Sequence, residues 1–193
     1  MLREKLSKYS IILASNSPRR QELLKELDIP FKVHCKEVEE IYPITLKKSQ
    51  ITAYLADLKS KAFDGFIKEN ELVITSDTIV WLNGKALGKP TNKNEAFNTL
   101  QALSGTTHEV ITSVSLKGRN FQKIVSDCTE VHFKELTVDE INYYIKKHQP
   151  YDKAGAYGIQ EWIGFIGVER IVGSYFNVMG LPVQKLYKEL MKL

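Results

Sequence analysis

Residues 11–24 have the sequence IILASNSPRRQELL, in which a short apolar run meets a helix-start signal. Residues 11–14 predict a buried strand, because the run is brief and bounded by turn formers. Ser17 can cap a helix, and Pro18 suits the first helical position. The leucines that follow continue a helical apolar stripe. The segment therefore predicts a strand that passes directly into a helix.

Strand and helix patterns alternate along the rest of the chain. Further strands are predicted at residues 31–34, 72–75, 79–82, 110–116, 121–125, 129–133 and 168–172. Helices are predicted at residues 51–66, after the capping positions Asn92 and Thr137, and at residues 182–193. Asn83 and Gly84 favour a two-residue hairpin turn. Because hairpins occur together with crossovers, the pattern favours a mixed α/β class, with a mixed sheet flanked by helices.

Composition limits the class of protein. A length of 193 residues with 43% hydrophobic content suits one large α/β domain or two small lobes. The net charge of +4 is too small to imply nucleic-acid binding. The chain has neither an apolar leader nor a run of roughly 20 apolar residues, so we expect no membrane association. Cys35 and Cys128 are far apart and lack metal-type spacing, which favours the reducing cytoplasm.

The first chemical motif is the polar segment at residues 15–20. The first turn of a helix that follows a strand presents N–H groups and the positive end of the helix dipole, which attract anions. Arg19 and Arg20 oppose that dipole, an arrangement that makes sense if a phosphate lies between them. The alternative is an ordinary capped helix with surface arginines.

Asp77 stands between two apolar segments, where aspartate is unfavourable in a strand. It is either a turn former or a functional carboxylate at the end of a buried strand. A carboxylate there could bind a divalent ion, activate water, or do both. Glu40 is a second candidate metal ligand, with a solvated acidic loop as the alternative.

Weaker signals come from two glycine-containing segments. Lys89 lies beside glycines in residues 84–90, where lysines could hold phosphate oxygens or simply be solvated. Residues 152–160 contain Lys153 and Gln160 among small residues that permit close approach of a ligand. An amide can donate and accept hydrogen bonds, as recognition of a base edge requires, although a tight glycine loop would also explain this segment.

Five segments together resemble the Maf family, which is related in fold to the inosine-triphosphatase-like pyrophosphatases. They are IILASNSPRRQELL at 11–24, SDTIV with GKALGKP within 76–90, LSGTTHEV at 103–110, YDKAGAYGIQ at 151–160 and GSYFNVMGLP at 173–182. The resemblance covers nearly the whole chain in the order and spacing of the family. It implies a single domain over residues 1–193, with an elongated mixed central sheet and two lobes with an intervening cleft.

The resemblance also implies an activity and its residues. The expected reaction is cleavage of dTTP or UTP to the monophosphate and pyrophosphate, with Asp77 as general base. Arg19, Thr78 and Gln160 match positions linked to substrate choice. The remaining implied residues are the phosphate binders Ser15, Arg20, Lys61, Lys89 and Lys153, and the ligands Asp77 and Glu40 of a divalent cation, Mg²⁺ or Mn²⁺.

Glu161 and Trp162 depart from the family pattern, since many relatives have glycine after the glutamine. The shape of this loop is therefore in question. The alternatives left open are a preference for 7-methyl-GTP and a non-catalytic, nucleotide-sensing regulator of cell division. Analogy at the level of the fold suggests a homodimer, and nucleic acid is not an expected partner.

Overall fold

The computed structural model describes all residues from 1 to 193 and contains one seven-stranded sheet. The strands are β1 Ser10–Leu13, β2 Phe31–Val33, β3 Glu71–Leu82, β4 Lys85–Leu87, β5 Thr107–Lys117, β6 Gln122–Phe133 and β7 Val168–Val172. Their order is β2-β1-β3-β5-β6-β7, with β4 paired to β3. Strand β1 runs parallel to β2 and β3, whereas the β3–β4 and β6–β7 pairs are antiparallel. The predicted mixed sheet is confirmed.

Eight α-helices accompany the sheet. They are α1 Leu2–Lys5, α2 Pro18–Lys25, α3 Ser49–Lys61, α4 Lys93–Leu103, α5 Val138–His148, α6 Trp162–Gly167, α7 Tyr175–Val178 and α8 Val183–Leu190. Helices α1, α6 and α7 were not predicted, because they have only four, six and four residues, too few to show a helical period. A short 3-10 turn spans Ala154–Ala156. None of the helices has the length and apolar character needed to cross a membrane.

The local start signals were largely correct. Asn92 Oδ1 accepts a hydrogen bond from the backbone of Glu95, and Thr137 forms a capping box at the start of α5. Ser17 occupies the capping position of α2, but its side chain makes no capping hydrogen bond. The Ser17 N–H instead donates a hydrogen bond to Ser15 Oγ at 3.3 Å. The side chain of Ser15 therefore stabilises the segment before α2.

The predicted break at residues 76–78 was wrong, because β3 continues through it for 12 residues. The polar side chains of this strand have partners that compensate for their burial. Thr75 Oγ1 donates to the Ala56 carbonyl at 2.6 Å, and Asp77 forms an ion pair with Lys59. Strand β6 likewise replaces two predicted segments by one continuous strand of 12 residues.

The chain divides into two compact units. The first comprises residues 1–77, 112–127 and 180–193, and the second comprises residues 78–111 and 128–179. The core of the first unit includes Leu13, Leu24, Ile51, Leu72, Ile74 and Leu116. The core of the second unit includes Leu100, Leu103, Ile141, Tyr144, Ile145 and Ile163. The single domain expected over residues 1–193 stays a prediction. Both cysteines are free thiols.

Candidate active site

Asp77 is a buried carboxylate on β3 that is held by a lysine of α3. Lys59 Nζ donates a hydrogen bond to Asp77 Oδ1 at 2.6 Å. The same ammonium group lies 3.1 Å from Glu40 Oε1. Two carboxylates that the sequence singled out are therefore joined by one positive charge, within the first compact unit.

Lys59 is the residue of this group that sequence reasoning missed, since it named Lys61. The two lysines are two positions apart on α3, which places them on nearly opposite faces of a helix with about 3.6 residues per turn. Lys59 is 16% exposed, whereas Lys61 is 60% exposed and pairs with Asp57 at 2.7 Å. The helical phase was a usable signal, because Lys59 continues the apolar stripe four positions after the buried Leu55. The phosphate-binding role of Lys61 stays a prediction.

The environment of Asp77 strengthens its affinity for a proton. Burial raises the pKa of the Asp77 carboxyl above its ordinary value, and the positive charges of Lys59 and Arg20 oppose that rise. The nearby Glu40 carboxylate adds a smaller upward effect on the same pKa. A carboxylate with a raised pKa is a better acceptor of a proton from water than a solvated aspartate.

Arg20 is anchored in place by backbone carbonyl groups. Its Nε donates to the Gly180 carbonyl and its Nη1 to the Ser76 carbonyl, both at 2.8 Å. Ser76 Oγ also donates to the Gly180 carbonyl, at 3.2 Å. The guanidinium group thus connects the first turn of α2 to Ser76, which precedes Asp77 on β3, and to Gly180, which lies three residues before the start of α8.

Ser15 is buried in the segment that connects β1 to α2. Its hydroxyl accepts a hydrogen bond from Ser17 N–H, and its carbonyl accepts one from Gln21 Nε2 at 3.2 Å. These bonds fix the start of α2, where the half-buried Arg19 lies. The first unit therefore brings together Ser15, Arg19, Arg20, Glu40 and Asp77 on a small set of connected elements.

The remaining predicted residues belong to the second unit. Lys153 is nearly buried, and its Nζ lies 2.7 Å from Asp152 Oδ1 and 3.1 Å from Glu161 Oε1. Gln160 Oε1 is buried without a hydrogen-bond partner. A buried acceptor without a partner costs about 1–3 kcal/mol, so such atoms are candidates for contact with a ligand.

Thr78 lies on β3, and Lys89 lies just after the β3–β4 hairpin. Thr78 follows Asp77 on β3, and successive side chains of a strand point to opposite faces. Lys89 is exposed after β4. The preceding Gly88 carbonyl accepts a hydrogen bond from Gly155 N–H at 3.1 Å, which joins two of the glycine-containing motifs. The roles of Thr78 and Lys89 stay predictions.

The carboxylates of the first unit suit a divalent cation. Asp77 Oδ1 and Glu40 Oε1 both lie within 3.1 Å of the Lys59 ammonium group, so their oxygens already converge on a positive charge. No cluster of three or more histidine, cysteine, aspartate or glutamate side chains is present. Magnesium is commonly held by one or two carboxylates together with substrate phosphates, and this pair fits that arrangement.

Comparison with known proteins agrees with the motifs. A dTTP/UTP pyrophosphatase of Flavobacterium johnsoniae is 56% identical over 193 residues, which cover 100% of both chains. A second protein of that name, from Phocaeicola vulgatus, is 56% identical over 191 residues, covering 98% of this chain and 99% of the other. Among solved structures, the Staphylococcus aureus Ham1 protein has a TM-score of 0.45 at 16% identity and covers 64% of this chain and 71% of that one.

The family assignment rests on the sequence comparisons. The family described as Maf-like protein matches residues 10–193. The match includes the segment and helix that carry Ser15, Arg19 and Arg20, the strand that carries Asp77, and the loop that carries Lys153 and Gln160. This chain belongs to the Maf-like protein family.

Proposed function

We propose that this chain is a nucleoside triphosphate pyrophosphatase that converts dTTP and UTP to the monophosphate and pyrophosphate. The observation that carries the proposal is the buried Asp77 carboxylate, joined through Lys59 to Glu40. Full-length relatives named dTTP/UTP pyrophosphatase, at 56% identity, support the choice of substrates.

In the proposed mechanism, Asp77 orients a water molecule and accepts its proton. The water oxygen forms a bond to the α-phosphorus, the bond from that phosphorus to the bridging oxygen breaks, and pyrophosphate leaves with that oxygen. The raised pKa of Asp77 supports its role as the proton acceptor. A divalent cation held by Asp77 and Glu40 would neutralise phosphate charge and lower the pKa of bound water.

The positive groups of the first unit would stabilise the charge on the phosphates. Arg19, Arg20 and the N-terminal turn of α2 supply positive charge and N–H donors, and Ser15 adds a hydroxyl. We extend this phosphate-binding role to Lys61, Lys89 and Lys153 on the resemblance alone. Electrostatic stabilisation is the main requirement, because phosphoryl transfer needs little covalent chemistry from the protein.

Gln160 and Thr78 would select the base. Uracil and thymine carry an N3–H donor, whereas the N3 of cytosine is an acceptor. The buried and unpaired Gln160 Oε1 supports recognition of such a donor. An acceptor opposite the N3 of cytosine would leave both atoms without a hydrogen bond, which disfavours that base.

The first test is pyrophosphate release in the presence of Mg²⁺ from dTTP, UTP, CTP, dATP, GTP and 7-methyl-GTP. Preference for dTTP and UTP is expected. Preference for 7-methyl-GTP would retain the reaction and contradict the proposed base selection. Absence of release from every nucleotide, also with Mn²⁺, would contradict the enzymatic proposal and favour a nucleotide-sensing regulator.

We further propose that the enzyme acts in the cytoplasm as a homodimer. The two free thiols are consistent with a reducing compartment.

The homodimer rests on analogy with the family. Sedimentation velocity at micromolar concentration tests it, and a single species of about 22.1 kDa would contradict it.

A further inference from the structure

Glu161, the residue after Gln160, has a partner at each carboxylate oxygen. Its Oε1 lies 3.1 Å from Lys153 Nζ. Its Oε2 accepts a hydrogen bond from the hydroxyl of Tyr144, which lies on α5. His148 Nδ1 lies 3.9 Å from the same Oε2. The side chain is therefore shared between the start of the 3-10 turn and the buried face of α5, all within the second unit.

Tyr144 connects this carboxylate to the backbone next to Gln160. Its hydroxyl oxygen accepts a hydrogen bond from Gly158 N–H at 3.0 Å, and the same hydroxyl donates a hydrogen bond to Glu161 Oε2. Burial and the Glu161 carboxylate both raise the pKa of Tyr144, so the hydroxyl stays protonated and keeps donating. The Tyr144 hydroxyl thus links the Glu161 side chain to the backbone of Gly158, two residues before Gln160.

Gly158 leaves the space that this arrangement needs. A Cβ atom at Gly158 would lie 2.9 Å from Glu161 Cδ and 3.1 Å from Gln160 Nε2. Both contacts are shorter than ordinary carbon contacts, so the glutamate and the glutamine pack directly against the glycine backbone. The Glu161 carboxylate and the Gln160 amide therefore share one small space.

We propose that Glu161 is a positioning residue for base selection, whose carboxylate holds Lys153 and the segment 158–160 in the single arrangement that presents Gln160 Oε1 to the base. This inference rests on the proposed function. Glu161 itself need not contact the nucleotide. Its effect passes through Tyr144 and Gly158 on one side and through Lys153 on the other.

The substitution Glu161→Gln tests the proposal with little change in shape. Lys153 and Tyr144 both require an acceptor, and Tyr144 already accepts from Gly158, whereas a glutamine has one acceptor oxygen and one donor group. One of the two contacts must therefore break. The matched control is Glu169→Gln, an exposed glutamate on β7 in the same unit.

The measurement is the affinity for the α,β-methylene analogues of dTTP and dCTP by calorimetry, with thermal unfolding of each variant. We expect Glu161→Gln to reduce the dTTP-over-dCTP ratio of affinities by about tenfold or more, because a displaced Gln160 Oε1 no longer pairs with the N3–H of thymine. The control should keep the wild-type ratio. An unchanged ratio in Glu161→Gln would overturn the proposal. This includes the case in which both analogues bind equally less tightly and the unfolding temperature falls, because that result would show a general loss of structure.

Tyr144→Phe provides a second route if Glu161→Gln does not fold. It removes the hydroxyl that connects Glu161 to Gly158, and it should lower the same ratio. Its control is Tyr143→Phe, whose exposed hydroxyl bonds only to Lys147 Nζ. Release of pyrophosphate by the wild-type chain is measured separately. If the wild-type chain discriminates between the two analogues without hydrolysing nucleotides and the variants lose that discrimination, the proposed function is contradicted and the positioning role is supported. Hydrolysis by the wild type with an unchanged ratio in the variants would support the proposed function and contradict the positioning role.

Discussion

The ammonium group of Lys59 lies 2.6 Å from Asp77 Oδ1, which ties the last turn of α3 to the middle of β3. The contact places a positive charge beside a carboxylate whose burial would otherwise favour the neutral acid. The Lys59 charge therefore limits the rise in the pKa of Asp77 that burial causes. Glu40 contacts the same ammonium group.

Asp77→Asn should reduce turnover of dTTP by about 10²–10⁴-fold, the usual contribution of a general base. Asparagine keeps the shape and can still accept the hydrogen bond from Lys59, so nucleotide binding should remain measurable. The measurement is kcat by pyrophosphate release, beside affinity for the α,β-methylene analogue. Asp57→Asn on α3 is the control, and normal turnover in Asp77→Asn would remove this residue from the base role.

Lys59→Gln should move the acid limb of the pH–rate profile to higher pH. Asp77 acts as a base only when ionised, so activity falls as pH drops through its pKa, which burial holds above the ordinary 3.8. The Lys59 charge lowers that pKa, and its removal lets the pKa rise further. The measurement is kcat as a function of pH in wild type and variant.

The matched control for that profile is Lys61→Gln, which removes the same charge from the same helix end. Lys61 is exposed and pairs with Asp57, so the acid limb should stay at its wild-type position. Equal displacement by both variants would mean that overall charge, rather than the contact with Asp77, sets the profile.

Arg20→Lys should lower the free energy of unfolding by about 1.5–3 kcal/mol, the range for a hydrogen bond to a charged group. Lysine keeps the charge but cannot reproduce the two fixed N–H directions that reach the Ser76 and Gly180 carbonyls. Urea unfolding measures the loss. The exposed Arg119→Lys serves as the control, and equal stability of the two variants would contradict the anchoring role.

Gly155→Ala should be more destabilising than Gly84→Ala. Both glycines have positive φ, +70° and +80°, so both substitutions carry a backbone cost of about 1–2 kcal/mol. Only at Gly155 would the new Cβ also meet a neighbour, Val80 Cγ2 at 2.6 Å, which adds about 1–3 kcal/mol of overpacking. Chemical unfolding compares them. The double variant Gly155→Ala/Val80→Ala should recover part of the difference, and no recovery would contradict the steric explanation.

Much of the fold was accessible from the sequence because its signals are local. The turn at Asn83 and Gly84 and the capping box at Thr137 depend on side chains within four residues of one another. Strand β7 was predicted with its observed bounds. The continuity of β3 was not accessible, because Asp77 is tolerated in a strand only when a distant lysine neutralises it.

The residues of the candidate site were likewise accessible from the sequence where their signals are local, and not where they depend on distant contacts. The sequence by itself determined the family and the identity of the motif residues, because motif spacing is a property of the chain alone. Only the tertiary structure decided that Lys59, rather than Lys61, contacts Asp77, and that Glu161 joins Lys153 to Tyr144. These choices depend on which face of a helix packs against a strand and on which side chains share a buried space. Burial then sets the cost of an unpaired charge and so selects the partners, and no local pattern of residues contains that information.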